Sequence, residues 1–194
     1  MMYLSKFLNF ISLKSKEPEA TSHTHGVFVD IKGKGILIIG KSGVGKSEVA
    51  LDLIYKGHRL IADDSVSFYK RNQNTLIGKP PSLLKNLMEV RGLGIIDIKK
   101  LFGRKSVVPE KKLFLVIELK AFQKEIDCSR LEMTVNSFRL FDINIPKIEI
   151  PVTETRHVSL LIETAVKNYI LLQKGSNTIN NLSEKLNLQL RLDH

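Results

Sequence analysis

The sequence predicts an α/β fold: a mixed β-sheet around one phosphate-binding loop and its helix, with helices closing the C-terminal end. Three observations predict it. Residues 40–47 read Gly-Lys-Ser-Gly-Val-Gly-Lys-Ser, between an apolar run and an amphipathic one, which is the strand–loop–helix setting of a phosphate loop. Short apolar bursts outnumber helical runs and do not alternate regularly with them, so a doubly wound sheet does not fit. From Val158 the run SLLIETAVKNYILLQKG is strongly apolar at helical length.

Along the chain, residues 1–16 carry an apolar pattern broken by Asn9 and Ser12. They predict a short amphipathic helix, not a signal peptide, since no small-residue cleavage site follows. Residues 17–24, with Pro18, predict a linker. The bursts VFVDI and GILIIG, divided by Gly33-Lys34-Gly35, predict a strand pair. Residues Ser47 to Tyr55 predict a helix with Val49, Leu51, Leu53 and Ile54 as its apolar positions, stopped at Gly57. HRLIADD predicts a strand that ends in two carboxylates. SVSFYK and NTLIG predict a further strand pair.

Pro80-Pro81 breaks the pattern, and SLLKNLMEV predicts a short helix. A turn at Arg91-Gly92-Leu93-Gly94 then leads into IIDI. The basic stretch 102–112 predicts a mobile loop. KLFLVIELK and residues 131–152 predict more strands. The helix from Val158 closes at Gly175, and LSEKLNLQLRL predicts a last amphipathic helix. The expected organisation is a helix and linker over 1–24 and one catalytic domain over 25–194.

Composition narrows the function classes. The chain has 194 residues, 43% hydrophobic and 26% charged, enough apolar content to bury a core. It has no apolar run long enough for a membrane span. Its single cysteine, Cys128, excludes an internal disulfide, which points to a reducing, cytoplasmic setting. The net charge of +10 favours acidic partners. The lysines are spread along the chain without interleaved aromatics, so a nucleic-acid groove is not indicated.

The chemistry centres on Gly40, Lys41, Ser42, Gly43, Val44, Gly45, Lys46 and Ser47. Glycines let backbone N–H groups surround phosphate oxygens. The helix N-terminus adds partial positive charge. Lys46 suits the β- and γ-phosphates as a point charge, and the Ser47 hydroxyl suits Mg²⁺. Asp63 and Asp64 end a strand expected to emerge at the same sheet edge. Adjacent residues point apart, so one carboxylate can hold metal while the other takes a proton from an attacking hydroxyl. The residues alone leave open which does which.

The stretch from His25 to Val66, HGVFVDIKGKGILIIGKSGVGKSEVALDLIYKGHRLIADDSV, and the later LMEVRGLGIIDIKKLFG, DINIPKIEIPV and NYI together resemble the HPr kinase/phosphorylase family over about residues 25–175. The resemblance implies a nucleotide core similar to that of phosphoenolpyruvate carboxykinase. It also implies transfer of phosphate from ATP, with Mg²⁺, to a serine of the phosphocarrier protein HPr. The reverse reaction is removal of that phosphate by phosphorolysis with inorganic phosphate. A homo-oligomer, usually a hexamer, is implied too. By the same resemblance Lys46 and Ser47 are the phosphate lysine and the magnesium serine, and Asp64 or Asp63 is the proton acceptor. Glu89 is a second metal ligand, and His25, Arg130 and Arg156 match catalytic positions.

Three departures from the family pattern stand out. About 24 residues precede His25-Gly26 where members usually have a further domain, which predicts a short form. The reverse-reaction signature, Pro-Val-x-x-Gly-Arg-Asn in the family, reads Pro151-Val152-Thr153-Glu154-Thr155-Arg156-His157. A Cβ at the glycine position restricts the backbone, which predicts a kinase-biased enzyme. After LFG the small, glycine-rich loop is replaced by Arg104-Lys105-Ser106. The rival expectations are a short-form kinase acting on another protein or small molecule, and a non-catalytic ATP-binding regulator. The joint presence of Lys46, Asp63, Asp64, Glu89 and Arg91 argues against the regulator.

Overall fold

The structure is a computed structural model that describes residues 21–121, 133–153 and 157–176. Among the described residues eleven strands and three helices run in the order β1 (Thr21–His25), β2 (Val27–Ile31), β3 (Lys34–Gly40), α1 (Lys46–Tyr55), β4 (Arg59–Ala62), β5 (Ser65–Asn72), β6 (Thr75–Lys79), β7 (Leu87–Val90), β8 (Gly94–Asp97), α2 (Ile98–Phe102), β9 (Lys111–Ala121), β10 (Val135–Leu140), β11 (Ile143–Val152) and α3 (Val158–Gln173). Nine strands form one mixed sheet, with order β1-β5-β6-β9-β3-β2-β4, and β11 joins β9 while β10 joins β11. β7 and β8 form a separate antiparallel ribbon.

β9 is the axis of the sheet. It runs parallel to β3 on one side and parallel to β11 on the other. Both faces are covered, which explains why GILII and LFLVI are continuous apolar runs instead of alternating ones. Along β3, Ile36 and Ile38 enter one core with α1 and α3, and Leu37 enters the other with Phe28, Phe68 and Val116. Phe28 and Phe68 meet edge to face in this second core, with centroids 5.5 Å apart.

The helices stop where their glycines allow. α1 ends on Gly57 at φ 91°; the Gly57 N–H donates to Ile54 O and the His58 N–H to Leu53 O. α3 ends on Gly175 with the same pair of bonds, to Leu172 O and, from Ser176, to Leu171 O. These are Schellman closures. α3 buries Val158, Ile162, Val166 and Tyr169 at helical spacing, while Leu160, Leu161 and Leu171 stay exposed. Leu161 and Leu171 line a groove of about 520 Å³ between α3 and β11.

The structure corrects three expectations. SLLKNLMEV is not a helix: a single 3-10 turn over Ser82–Leu84 leads directly into β7. Its apolar spacing served a two-stranded ribbon, where Met88 and Val90 face the core and Leu87 and Glu89 do not. Residues 21–24, expected in a linker, belong to β1, whose Thr24 and His25 pair with Val66 and Ser65. The basic stretch 102–112 is not a free loop. Ser106 is buried, its hydroxyl donates to Gly103 O at 2.7 Å, Val107 bridges to Leu60, and Lys111 and Lys112 already pair with β6. The expected helices over 1–16 and 182–192 lie outside the described residues.

Candidate active site

The sheet brings the phosphate loop and the carboxylates to one edge. β2 is antiparallel to both β3 and β4, so β3 and β4 run the same way and their C-terminal ends coincide. Gly40 ends β3 and Asp63 follows β4. Ligands of such sheets bind beyond the carboxyl ends of the strands.

The loop has the backbone that its glycines permit. Gly40 lies at φ 148°, and a Cβ there would sit 2.6 Å from Leu119 O. Gly45 takes the N-cap of α1 in the left-handed region, with no side-chain cap, so the first amides of the helix face the loop. The buried Lys46 donates from Nζ to Gly40 O at 3.0 Å and Lys41 O at 3.2 Å. An ammonium has three donors, so one N–H is left for an anion held by the loop. Burial lowers the Lys46 pKa, while Asp64 and Asp63 pull it upward.

The two aspartates differ in every respect that sequence could not show. Asp63 is only 4% exposed. Ser47 Oγ donates to its Oδ1 at 3.1 Å, and the Glu89 N–H donates to its Oδ2 at 2.9 Å. Burial pushes its carboxyl up to about 6, outweighing those two bonds. Asp64 sits in the left-handed region at φ 63°. Its Oδ1 lies 3.2 Å from His25 Nδ1. That hydrogen bond lowers the Asp64 pKa and raises that of His25. His25 ends β1 opposite Ser65, and the Gly26 N–H donates to Asp64 O, so strand pairing holds the His25–Asp64 couple.

Glu89 joins the group through its backbone amide, at the centre of β7. Two residues on, Arg91 reaches the loop: a Cβ on Gly43 would lie 3.4 Å from its Nη2. The MEVRG motif contained this arginine, but its place at the loop tip depends on how the ribbon packs. Arg130 and Arg156, with Thr155, lie outside the described residues. His157 is exposed at the N-cap of α3.

Mg²⁺ fits the residues present. A buried carboxylate beside a serine hydroxyl at the mouth of a phosphate loop supplies hard oxygen donors. Among the described residues no cluster of three or more acidic, histidine or cysteine side chains could hold an ion unaided. The remaining ligands would have to be phosphate oxygens and water, which is the usual manner of Mg²⁺ with a nucleotide.

Comparison with known proteins identifies the family. Residues 17–186 match the family model described as HPr Serine kinase C-terminal domain. An HPr kinase/phosphorylase of Geobacillus thermodenitrificans is 41% identical over 182 residues, covering 94% of this chain and 58% of that protein. One from Halalkalibacterium halodurans is 44% identical over 167 residues, covering 86% and 54%. The chain thus spans little more than half the length of these curated relatives. Among solved structures, the HPr(Ser) kinase/phosphatase from Coxiella burnetii superposes with a TM-score of 0.72 at 36% identity, over 79% of this chain and 99% of that one. The chain belongs to the HPr serine kinase C-terminal domain family.

Proposed function

We propose that this chain is the catalytic domain of an ATP-dependent protein kinase that phosphorylates a serine of HPr. The observation that carries the reading is the division of labour at the strand ends: Asp63 turned inward to Ser47, and Asp64 turned outward to His25.

In this reading the loop amides, Lys46 and Arg91 hold the triphosphate and stabilise charge on the γ-phosphoryl group. Bound Mg²⁺, held by Ser47 and Asp63 with Glu89 near by, would neutralise charge on the β- and γ-oxygens. Asp64 accepts the proton of the attacking serine as the new P–O bond forms and the bond to the β–γ bridging oxygen breaks, releasing ADP. His25 keeps Asp64 ionised and oriented. In the reverse direction inorganic phosphate attacks the phosphoserine, pyrophosphate is released, and Asp64 returns the proton. Thr155, at the glycine position of the family signature, supports a bias toward the kinase direction. The exposed Leu160, Leu161 and Leu171 support a homo-oligomer.

Lys46→Ala tests the reading. It is expected to cut phosphate transfer from ATP to purified HPr by 10²-fold or more, on the order of losing one transition-state donor, with an unchanged circular dichroism spectrum. Wild-type transfer by that variant would overturn the reading.

A further inference from the structure

β1 carries histidines at alternate positions, His23 and His25. Residues two apart on a strand project from the same face, so the two imidazoles stand side by side. Both residues are exposed, because β1 is the last strand on its side of the described sheet. The phosphate chemistry accounts for only one of them, and for only one of its nitrogens: His25 serves Asp64 through Nδ1.

The neighbouring strand fixes which nitrogen each ring offers. His25 Nδ1 lies 3.2 Å from Asp64 Oδ1. His23 Nδ1 lies 3.2 Å from Oγ of Ser67, its cross-strand partner, which is fully buried. In both rings the engaged nitrogen is Nδ1, so Nε2 is the nitrogen through which each can ligate. A metal-binding histidine characteristically gives its other ring N–H to a carboxylate or another oxygen, which fixes the tautomer and the plane of the ring. Asp64 and Ser67 supply those oxygens, one for each ring.

Donor chemistry selects the ion. Imidazole nitrogen suits Zn²⁺, Cu²⁺ and Ni²⁺, whereas Mg²⁺ takes oxygen. Ser47 and Asp63 offer oxygens, so the two places do not compete for one ion. Among the described residues no group of three or more His, Cys, Asp or Glu side chains is arranged to hold a metal. Two protein donors, with water in the remaining positions, make an exchangeable site and not a closed structural one of four protein ligands.

We propose that His23 and His25 bind one divalent transition ion of the Zn²⁺ class through their Nε2 atoms, with Asp64 and Ser67 orienting the rings. The site is independent of the kinase reading, since binding needs neither nucleotide nor HPr.

The test titrates the full chain, free of any histidine tag, with Zn²⁺ by calorimetry in a non-chelating buffer at neutral pH. One ion per chain is expected at this site. His23→Ala and His25→Ala are each expected to weaken its binding by about tenfold or more, with unchanged circular dichroism spectra. Cys128→Ser and His157→Ala, which remove a thiol and an exposed imidazole elsewhere in the sequence, are expected to leave it within twofold. With Cu²⁺ as the probe, electron spin-echo modulation of the wild-type chain is expected to show two coordinated imidazoles, falling to one in His23→Ala. Affinity retained in both β1 variants overturns the site. So does a comparable loss in Cys128→Ser or His157→Ala, which places the ion elsewhere. A wild-type spectrum with fewer than two imidazoles overturns the pairing whether or not the variants fold, and absence of Zn²⁺ binding by the wild-type chain overturns it outright.

Discussion

Asp63 is where burial and chemistry conflict most. Its carboxyl is pushed up to about 6 by desolvation, so the native state holds a proton that the unfolded chain has already lost above pH 4. Between pH 4 and pH 6 the native state binds more protons, and stability falls as pH rises through that window. A shift of roughly two units is worth up to about 3 kcal/mol. Asp63→Asn keeps an oxygen to accept the Glu89 N–H and an amide to face Ser47 Oγ, without the charge. The variant is expected to be more stable than wild type at pH 7 by about 1–3 kcal/mol, with the gap closing at pH 4, as read from urea midpoints. Equal stability at both pH values would show that Asp63 titrates normally. The same variant should lose kinase activity. The sequence displayed the adjacent aspartates, the loop lysine and the loop serine plainly. It could not display which aspartate is buried, because that depends on where β4 stops and on the left-handed turn at Asp64.

At the scale of elements, pairing of β1 with β5 is what brings His25 to Asp64. The hinge between β1 and β2 is Gly26, where a Cβ would lie 2.6 Å from the Ile38 backbone oxygen and 3.3 Å from side chains of Ile39 and Leu37. Backbone cannot yield as a flexible side chain does. Gly26→Ala is expected to cost about 1–3 kcal/mol and to raise the pH at which kinase activity falls on the acid side. The sign follows from the His25 hydrogen bond: it lowers the Asp64 pKa, so displacing it lets that pKa rise. Denaturant unfolding and a pH–rate profile check the two parts, and an unchanged profile would detach His25 from the chemistry. Strand periodicity identified β2, β3, β5, β6 and β9 correctly. It failed at β7, because LLKNLMEV satisfies helical spacing as well as strand alternation. Ribbon pairing with IIDI decided the outcome. It failed again at β1, whose Thr, Ser and His side chains carry no apolar signal and whose partner lies some forty residues away.

At the scale of the molecule, one sheet edge gathers the described residues that the proposed chemistry uses. β3 delivers the phosphate loop, β4 the aspartates, β1 the histidine, and the β7–β8 ribbon lays Glu89 and Arg91 across them. β3, β9 and β11 pair in parallel behind that edge, with a core on either face. The family could be read from motifs because those motifs are the residues at this edge. The exposed apolar positions were not legible as such, since leucine and isoleucine look like core residues until the fold shows them outside.

The most direct test of the central claim is a crystal structure with a non-hydrolysable ATP analogue and Mg²⁺. The account predicts the γ-phosphate held by Lys46 Nζ and the loop amides, the ion touching Ser47 Oγ and Asp63, and the Asp64 carboxylate open toward the γ-phosphorus. A nucleotide bound elsewhere, or an Asp64 turned away from that phosphorus, would contradict it.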